Sequence, residues 1–386
     1  MSSLPQSLHD KARQAFTGFP TRRMEAYKYS DLSMLAQREL GAMAGLEASD
    51  PMVKQSRADI VIGNAALCHA QSPHAGLTVQ RLDAHPLLGE FLPLEERPVA
   101  ALNSIHAQSV LYIHVAKGVQ LQEPLTLDVV TQGEGAAYPR VLIVLEEEAS
   151  LRLEERFYGT GSYVNCGMME VSLAKGAKLF HTRDQNEDKR ATHLFTAAIK
   201  IAQRACYSSY AFNEGAALMR HEIAASLDGA QAHTDLCGIN MIAGNQHLDT
   251  ATFIDHAQAD ATSNELYKSA IAGNATAVFQ GKIHVAKDAQ RTQGYQMSRG
   301  LLLSDKARIN TKPELEIYAD DVVCSHGATV GALDEESLFY LRARGIPCAR
   351  ARRLLVEGFI AEVLDNLDAP CREILMQRAG LWLESF

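Results

Sequence analysis

Several features are missing from this 386-residue chain, and each absence removes a class of function. The seven cysteines, scattered from Cys68 to Cys371, include no Cys-x-x-Cys pair and are odd in number, which argues against a disulfide framework or structural zinc and for reduced thiols. No run approaches the roughly 18 apolar residues of a membrane span. The opening MSSLPQSLHDKARQAF lacks the apolar stretch of a secretory signal, so a cytoplasmic protein is expected, with no membrane partner. Basic residues number 37 against 46 acidic ones, a formal charge of −9, whereas a nucleic-acid binder needs a cationic surface or stripe. Nucleic acid is therefore not an expected partner.

Catalytic motifs are lacking as well. Gly281-Lys282 is followed by Ile283, and no glycine lies five residues before Gly281, so the phosphate-binding loop of an ATPase is absent. His221-Glu222 has no second histidine four residues after the first, and no G-x-S-x-G elbow occurs. The acid pairs Asp320/Asp321 and Glu314/Glu316 sit in turn or exposed-strand positions, where solvated charge is the default. A carbohydrate-active enzyme would also need substrate-lining aromatics, yet the single tryptophan, Trp382, lies in the tail. A non-catalytic protein is expected.

What is present is β-rich and repetitive. Residues 1–100 are mixed, with a helix-like start (Leu8, Ala12, Ala15, Phe16) followed by a turn-rich, proline-punctuated stretch. From 101 to 332 the texture changes to short β-type runs such as VLYIHV, LTLDVV, VLIVL and LEIYA, separated by Gly, Asn, Asp or Lys turns. A turn unit recurs: HVAKGVQL (114–121), VLEEEASL (144–151), SLAKGAKL (172–179), HVAKDAQR (284–291) and LLSDKARI (302–309). SLDGAQAH (226–233) and FIDHAQAD (253–260) are shortened forms, and VCSHGATV (323–330) reads as the last. The recurring Ala or Val positions are spaced by 18 to 32 residues, with one interval of 53. Strand-and-turn units of this kind point to a β-helix of about ten coils at about 20 to 25 residues per coil, with a β-sandwich as the competing arrangement.

The end of such a stack exposes a row of unpaired backbone groups, and nothing after Gly331 reads as a cap. The chain turns helical over 333–386 instead. Asp334 suits an N-cap, Gly345 a stop, and Pro347 and Pro370 open two further helices. In the middle helix Leu354, Leu355, Phe359, Val363, Leu364 and Leu367 form one apolar stripe, and Arg350, Arg352 and Arg353 crowd its start. The stripe either packs on the solenoid or docks a partner, since positive charge at a helix N-terminus calls for an acidic neighbour. Ahead of these helices lies Ala319-Asp-Asp-Val-Val-Cys-Ser-His-Gly-Ala-Thr-Val-Gly331, in which Cys324 and His326 are two apart; on a strand both would face one side. Thiol and imidazole are soft and borderline metal ligands, but two are too few, and the remainder would have to come from elsewhere, including another chain. His106, His114, His221, His233, His247, His256 and His284 are isolated and read as surface or hydrogen-bonded residues.

The runs Gly244-Asn-Gln-His-Leu-Asp-Thr250, Glu265-Leu-Tyr-Lys268, Val278-Phe-Gln-Gly-Lys-Ile283, Asn310-Thr-Lys-Pro-Glu-Leu-Glu-Ile317 and Cys324-Ser-His-Gly-Ala-Thr329 are similar to the SufB/SufD family of iron–sulfur cluster assembly proteins. The likeness extends to Leu338-Phe-Tyr-Leu341, Ala101-Leu-Asn103 and Tyr27-Lys-Tyr29, is loose over 40–95, and in its Cys-Ser-His-Gly-Ala-Thr form follows the SufD branch. The resemblance implies a right-handed parallel β-helix flanked by N-terminal and C-terminal helical regions. It further implies a scaffold subunit that pairs with a SufB-like subunit through the β-helix end and binds a SufC-like ATPase through the C-terminal helices. No tightly bound cofactor is implied, only transient iron or a nascent cluster, with His326 and Cys324 contributing to a site shared with the SufB-like subunit. A homodimer of the same kind remains the alternative.

Overall fold

The computed structural model describes residues 4–38, 40–72, 74–365, 367 and 369–384. Successive strands fall alternately into two ten-stranded sheets and pair in parallel with the strand one full turn away, which makes a parallel β-helix. Sheet I includes Ser150–Thr160, Lys178–Asn186, Cys206–Asn213, His233–Ile242, Thr262–Ile271, Thr292–Leu302 and Val322–Ala332. Sheet II includes Tyr163–Leu173, Thr192–Ile201, Leu218–Leu227, His247–His256, Thr276–Val285 and Arg308–Ile317. From Val110–Val115 to Arg308–Ile317, eight parallel strands of sheet II mark eight turns, fewer than the ten expected. The strands are nearly all 10 or 11 residues long in this body, so one turn takes from 26 residues (Thr192 to Leu218) to 32 (Thr276 to Arg308).

The true repeat is clearer than the sequence spacing. At the corner leading from sheet II into sheet I an alanine points inward on each turn: Ala149, Ala177, Ala205, Ala232, Ala261 and Ala289 are all 0% exposed. The 53-residue interval arose because the turn ending in Ala205 was not recognised, and the 18-residue interval because 302–309 forms the opposite corner, between Thr292–Leu302 and Arg308–Ile317. VCSHGATV is no turn at all but lies within the strand Val322–Ala332. Each of these corners also holds one residue in the left-handed region: Glu148, Gly176, Arg204, Gln231, Asp260 and Arg291, with φ between 56° and 71°. Only one is glycine, so the turn is imposed by the pairing on either side rather than by local preference.

Inward positions of both sheets build one apolar core that runs the length of the body, from Ile60 and Val129 to Ile283 and Val285. The outer faces are covered unequally. On sheet II, helix α1 (Gln6–Ala15) and the segments up to the third helix, Pro98–His106, pack Leu8, Ala12, Leu94 and Val99 against Val164, Cys166, Met168 and Leu194. A polar lock ties the same N-terminal region further along. Arg220 donates to Glu222 at 2.7 Å, to the Ala26 carbonyl at 2.9 Å and to Asp249, while Tyr27 donates to Glu222 at 2.6 Å. On sheet I, the helices Cys348–Ala361 and Ala369–Leu383 bring Val356, Ile360 and Trp382 onto Phe212, Ile239 and Met241.

Strands Ile60–Gly63, Ala66–Ala70 and Leu77–Leu82 already belong to the two sheets, so the solenoid begins well before residue 101, and residue 100 falls inside a helix. The C-terminal helices follow their local signals: the Asp334 side chain accepts from the Ser337 N–H at 2.9 Å, Gly345 has φ 82°, and Pro347 precedes Cys348–Ala361.

Candidate functional site

The last strand, Val322–Ala332, pairs on one side with Thr292–Leu302, and among the described residues no strand covers its other side. The neighbouring terminal strand of sheet II, Arg308–Ile317, is likewise paired only with Thr276–Val285. Both therefore present free backbone groups along one edge, a row broken on Arg308–Ile317 by Pro313, which has no N–H. Large apolar side chains stand exposed along this rim: Tyr318 at 63%, Val323 at 59% and Val330 at 45%.

Cys324 and His326 occupy the inward-facing positions of that last strand. Their register partners are Gly294 and Gln296, which are buried, so both residues sit over the open mouth of the solenoid lumen. A Cβ on Gly294 would stand 3.5 Å from the Cys324 sulfur and from Ile283. The thiol packs on the inner core, where it is half-buried. Burial raises the Cys324 thiol pKa, partly offset by a hydrogen bond from the Gly294 backbone, so the sulfur is a protonated thiol near neutral pH and must lose its proton to bind metal. His326 is exposed at the rim. No group of three or more His, Cys, Asp or Glu among the described residues is placed to hold a metal.

The other residues singled out in the sequence mostly have ordinary partners. His114 contacts Glu146, His233 Asp235, His284 Asp255 and His247 Ser30, and His106 stacks on Tyr138. His221 and His256 are not surface residues: both are buried inside the lumen, His221 accepting from Arg183 at 2.7 Å and His256 contacting Ser263 at 2.8 Å. Glu316 pairs with Lys282 and Glu314 with Lys312, as solvated charges do. In the stripe of the middle C-terminal helix, Val363, Leu364 and Leu367 are buried against sheet I while Leu354 stays 38% exposed. Arg353 finds its acidic neighbours within the chain, Glu357 at 2.6 Å and Glu384 at 2.7 Å. A cavity of about 610 Å³ lies on the flank of sheet II between Glu25, Arg97, Lys282 and Lys312, and reaches the outer face of the terminal strand through Lys312 and Glu314.

Sequence reading missed a polar column inside the solenoid. Arg183 donates to His221 and His193 and stacks on Phe195, His193 contacts Glu187 at 2.5 Å, and Glu155 lies against both His181 and Arg183. Nearer the open end Glu265, 1% exposed, accepts from Gln296 at 2.5 Å; burial pushes its pKa up to about 7 against the smaller pull of Thr252 and Gln296. Strict alternation with inward apolar residues, as in His193/Phe195 or Glu265/Tyr267, was the available signal.

Comparison with known proteins places these features in a family. Residues 129–359 match the model of the SUF system FeS cluster assembly, SufBD core domain. The chain is 31% identical to the iron-sulfur cluster assembly protein SufD of Escherichia coli, over 97% of this chain and 92% of that one. A SufBD family protein of Synechocystis is 31% identical over 90% of this chain and 84% of its own length. The iron-sulfur cluster assembly protein SufB of Bacillus subtilis is 28% identical over 70% of this chain and 59% of its own.

Proposed function

Because the chain belongs to the SufBD family of iron–sulfur cluster assembly proteins and is most like SufD, we propose that it is the SufD-type scaffold subunit of a cluster assembly complex, pairing with a SufB-type subunit through its open solenoid end. The observation that carries this reading is the rim: two unpaired strand edges of 10 and 11 residues, exposed Tyr318, Val323 and Val330, and Cys324 with His326 at the mouth. A partner strand laid along the edge satisfies its backbone groups and buries those apolar side chains together. Cys324 and His326 then form part of a site completed by the facing subunit, where iron is received and a nascent cluster assembled. A thiolate and an imidazole suit iron chemically, and the missing ligands come from across the interface.

An ATPase of the SufC type docks on the C-terminal helices, whose outward apolar residues Phe339, Tyr340, Ile374 and Leu381 are each more than half exposed. The chain itself carries no ATP-binding loop, so the work of hydrolysis belongs to that partner. The protein acts in the cytoplasm, holds no resident cofactor, and handles iron or a cluster only as cargo.

The test is co-purification with the SufB-type and SufC-type proteins, followed by anaerobic reconstitution with wild type and His326→Ala. Loss of cluster absorbance and of cluster delivery in the variant supports the assignment. Unchanged absorbance and delivery would overturn the role of His326, and a chain that recovers only as a self-paired dimer would replace the heterocomplex with a homodimeric scaffold.

A further inference from the structure

We infer that the side-chain carbonyl of Gln296 is a further ligand for a hard divalent cation held at the His326 rim, with Glu265 as the positioning residue that fixes its amide; this rests on the metal-handling reading of His326. Along the inner face of sheet I the register runs Leu236, Glu265, Gln296, His326, one residue per turn, so Gln296 is the rung directly beneath His326. It is 2% exposed, its Nε2 donates to Glu265 Oε2 at 2.5 Å, and its Oε1 has no hydrogen-bond partner among the described residues.

The Gln296 NH2 group donates to Glu265 on the rung below, which turns its carbonyl away from that carboxyl, and the rung above carries His326. The opposite sheet makes room for this arrangement: a Cβ at Gly281 would lie 2.2 Å from Gln296 Nε2. Carbonyl oxygen is a hard donor, so it selects for ferrous or manganous ions, whereas the neighbouring Cys324 sulfur favours zinc.

The experiment measures Mn2+ and Zn2+ binding, under anaerobic conditions, to the full-length protein alone and in the complex with which it co-purifies. In Gln296→Met, which keeps the volume and removes the amide, Mn2+ affinity is expected to fall by about tenfold while Zn2+ affinity changes by less than about twofold. Glu265→Gln should produce the same selective loss in smaller degree, and it decides the matter if Gln296→Met does not fold. His326→Ala should weaken both ions. If His326→Ala changes neither, the metal reading of the rim fails and this inference with it. If His326→Ala weakens both but the Gln296 and Glu265 variants lose neither ion, or lose both equally, the Gln296 assignment alone is overturned. Absence of Mn2+ binding by the wild type in both preparations also overturns it.

Discussion

The two ends of the solenoid solve the same problem in opposite ways. At the first end the edges are closed by short strands laid antiparallel to the stack: Ala66–Ala70 on Ile60–Gly63, and Leu77–Leu82 on Val110–Val115. The buried pair Arg140–Glu170, at 2.7 Å, braces this end, with Arg140 also donating to Asn103 and Ser104 in the adjoining helix and Glu170 accepting from the Gly89 N–H. At the last end the strands are long, parallel and uncovered among the described residues, and apolar side chains face solvent beside them. Charge and proline blunt the sheet II edge at Lys312, Pro313, Glu314 and Glu316, whereas the sheet I edge, Val322–Ala332, carries neither acidic residue, lysine, arginine nor proline. The difference teaches that the first end satisfies its own edge groups while the last end leaves them free.

The comparison can be broken most severely at the closed end. Arg140→Met leaves Glu170 as an uncompensated buried charge, and should cost about 3 to 5 kcal/mol, read as a lower urea midpoint; a loss under about 1 kcal/mol would show that this pair does not brace the fold. Next comes a buried group closer to the open end. Burial lowers the His256 pKa from 6.5 to about 4, so the folded state favours the neutral ring. Its stabilising contribution is complete above pH 6.5, declines as the pH falls towards 4, and amounts to at most about 3 kcal/mol. His256→Gln should flatten the stability profile between pH 6.5 and 4, and an unchanged slope in thermal melts would count against that origin.

Smaller effects are expected at the open rim. Val323→Lys with Val330→Lys should weaken capture of the SufB-type partner by about tenfold or more, equivalent to about 1.4 kcal/mol, while leaving the melting temperature unchanged. Binding that survives the double charge would move the interface away from this edge. The smallest change in stability belongs to His326→Ala, an exposed substitution expected to shift unfolding by less than about 0.5 kcal/mol even as iron handling is lost. A large destabilisation would recast His326 as a structural residue.

Much of the architecture was legible because it is local. The helix caps at Asp334 and Gly345, the alternation of the strands and most of the corner turns depend on residues within a few positions of each other. The Ala205 turn escaped because Ala202-Gln203-Arg204 carries none of the Gly, Asp or Glu that marks the other corners, and Arg204 takes φ 56° under the constraint of the coils above and below. The number of turns was overestimated because strand length is set by pairing with neighbours a full turn away. Cys324 and His326 were visible as a same-face pair, but Gln296 and Glu265 were not, since only the parallel register stacks residues 30 and 31 positions apart on one line.

By itself the sequence determined a repetitive strand-and-turn body with a helical tail and a thiol and imidazole on one face near the end of that body, while the family resemblance chose the β-helix over a sandwich. Periodicity and residue chemistry suffice for the first part, because they are properties of the chain read in order. Tertiary structure alone decided that the apolar stripe of the middle C-terminal helix is largely spent on sheet I, that Tyr27 reaches Glu222 across 195 residues, and that Cys324 and His326 face the open mouth of the lumen. Those outcomes depend on which strand lies beside which, and that is fixed by the winding of the chain.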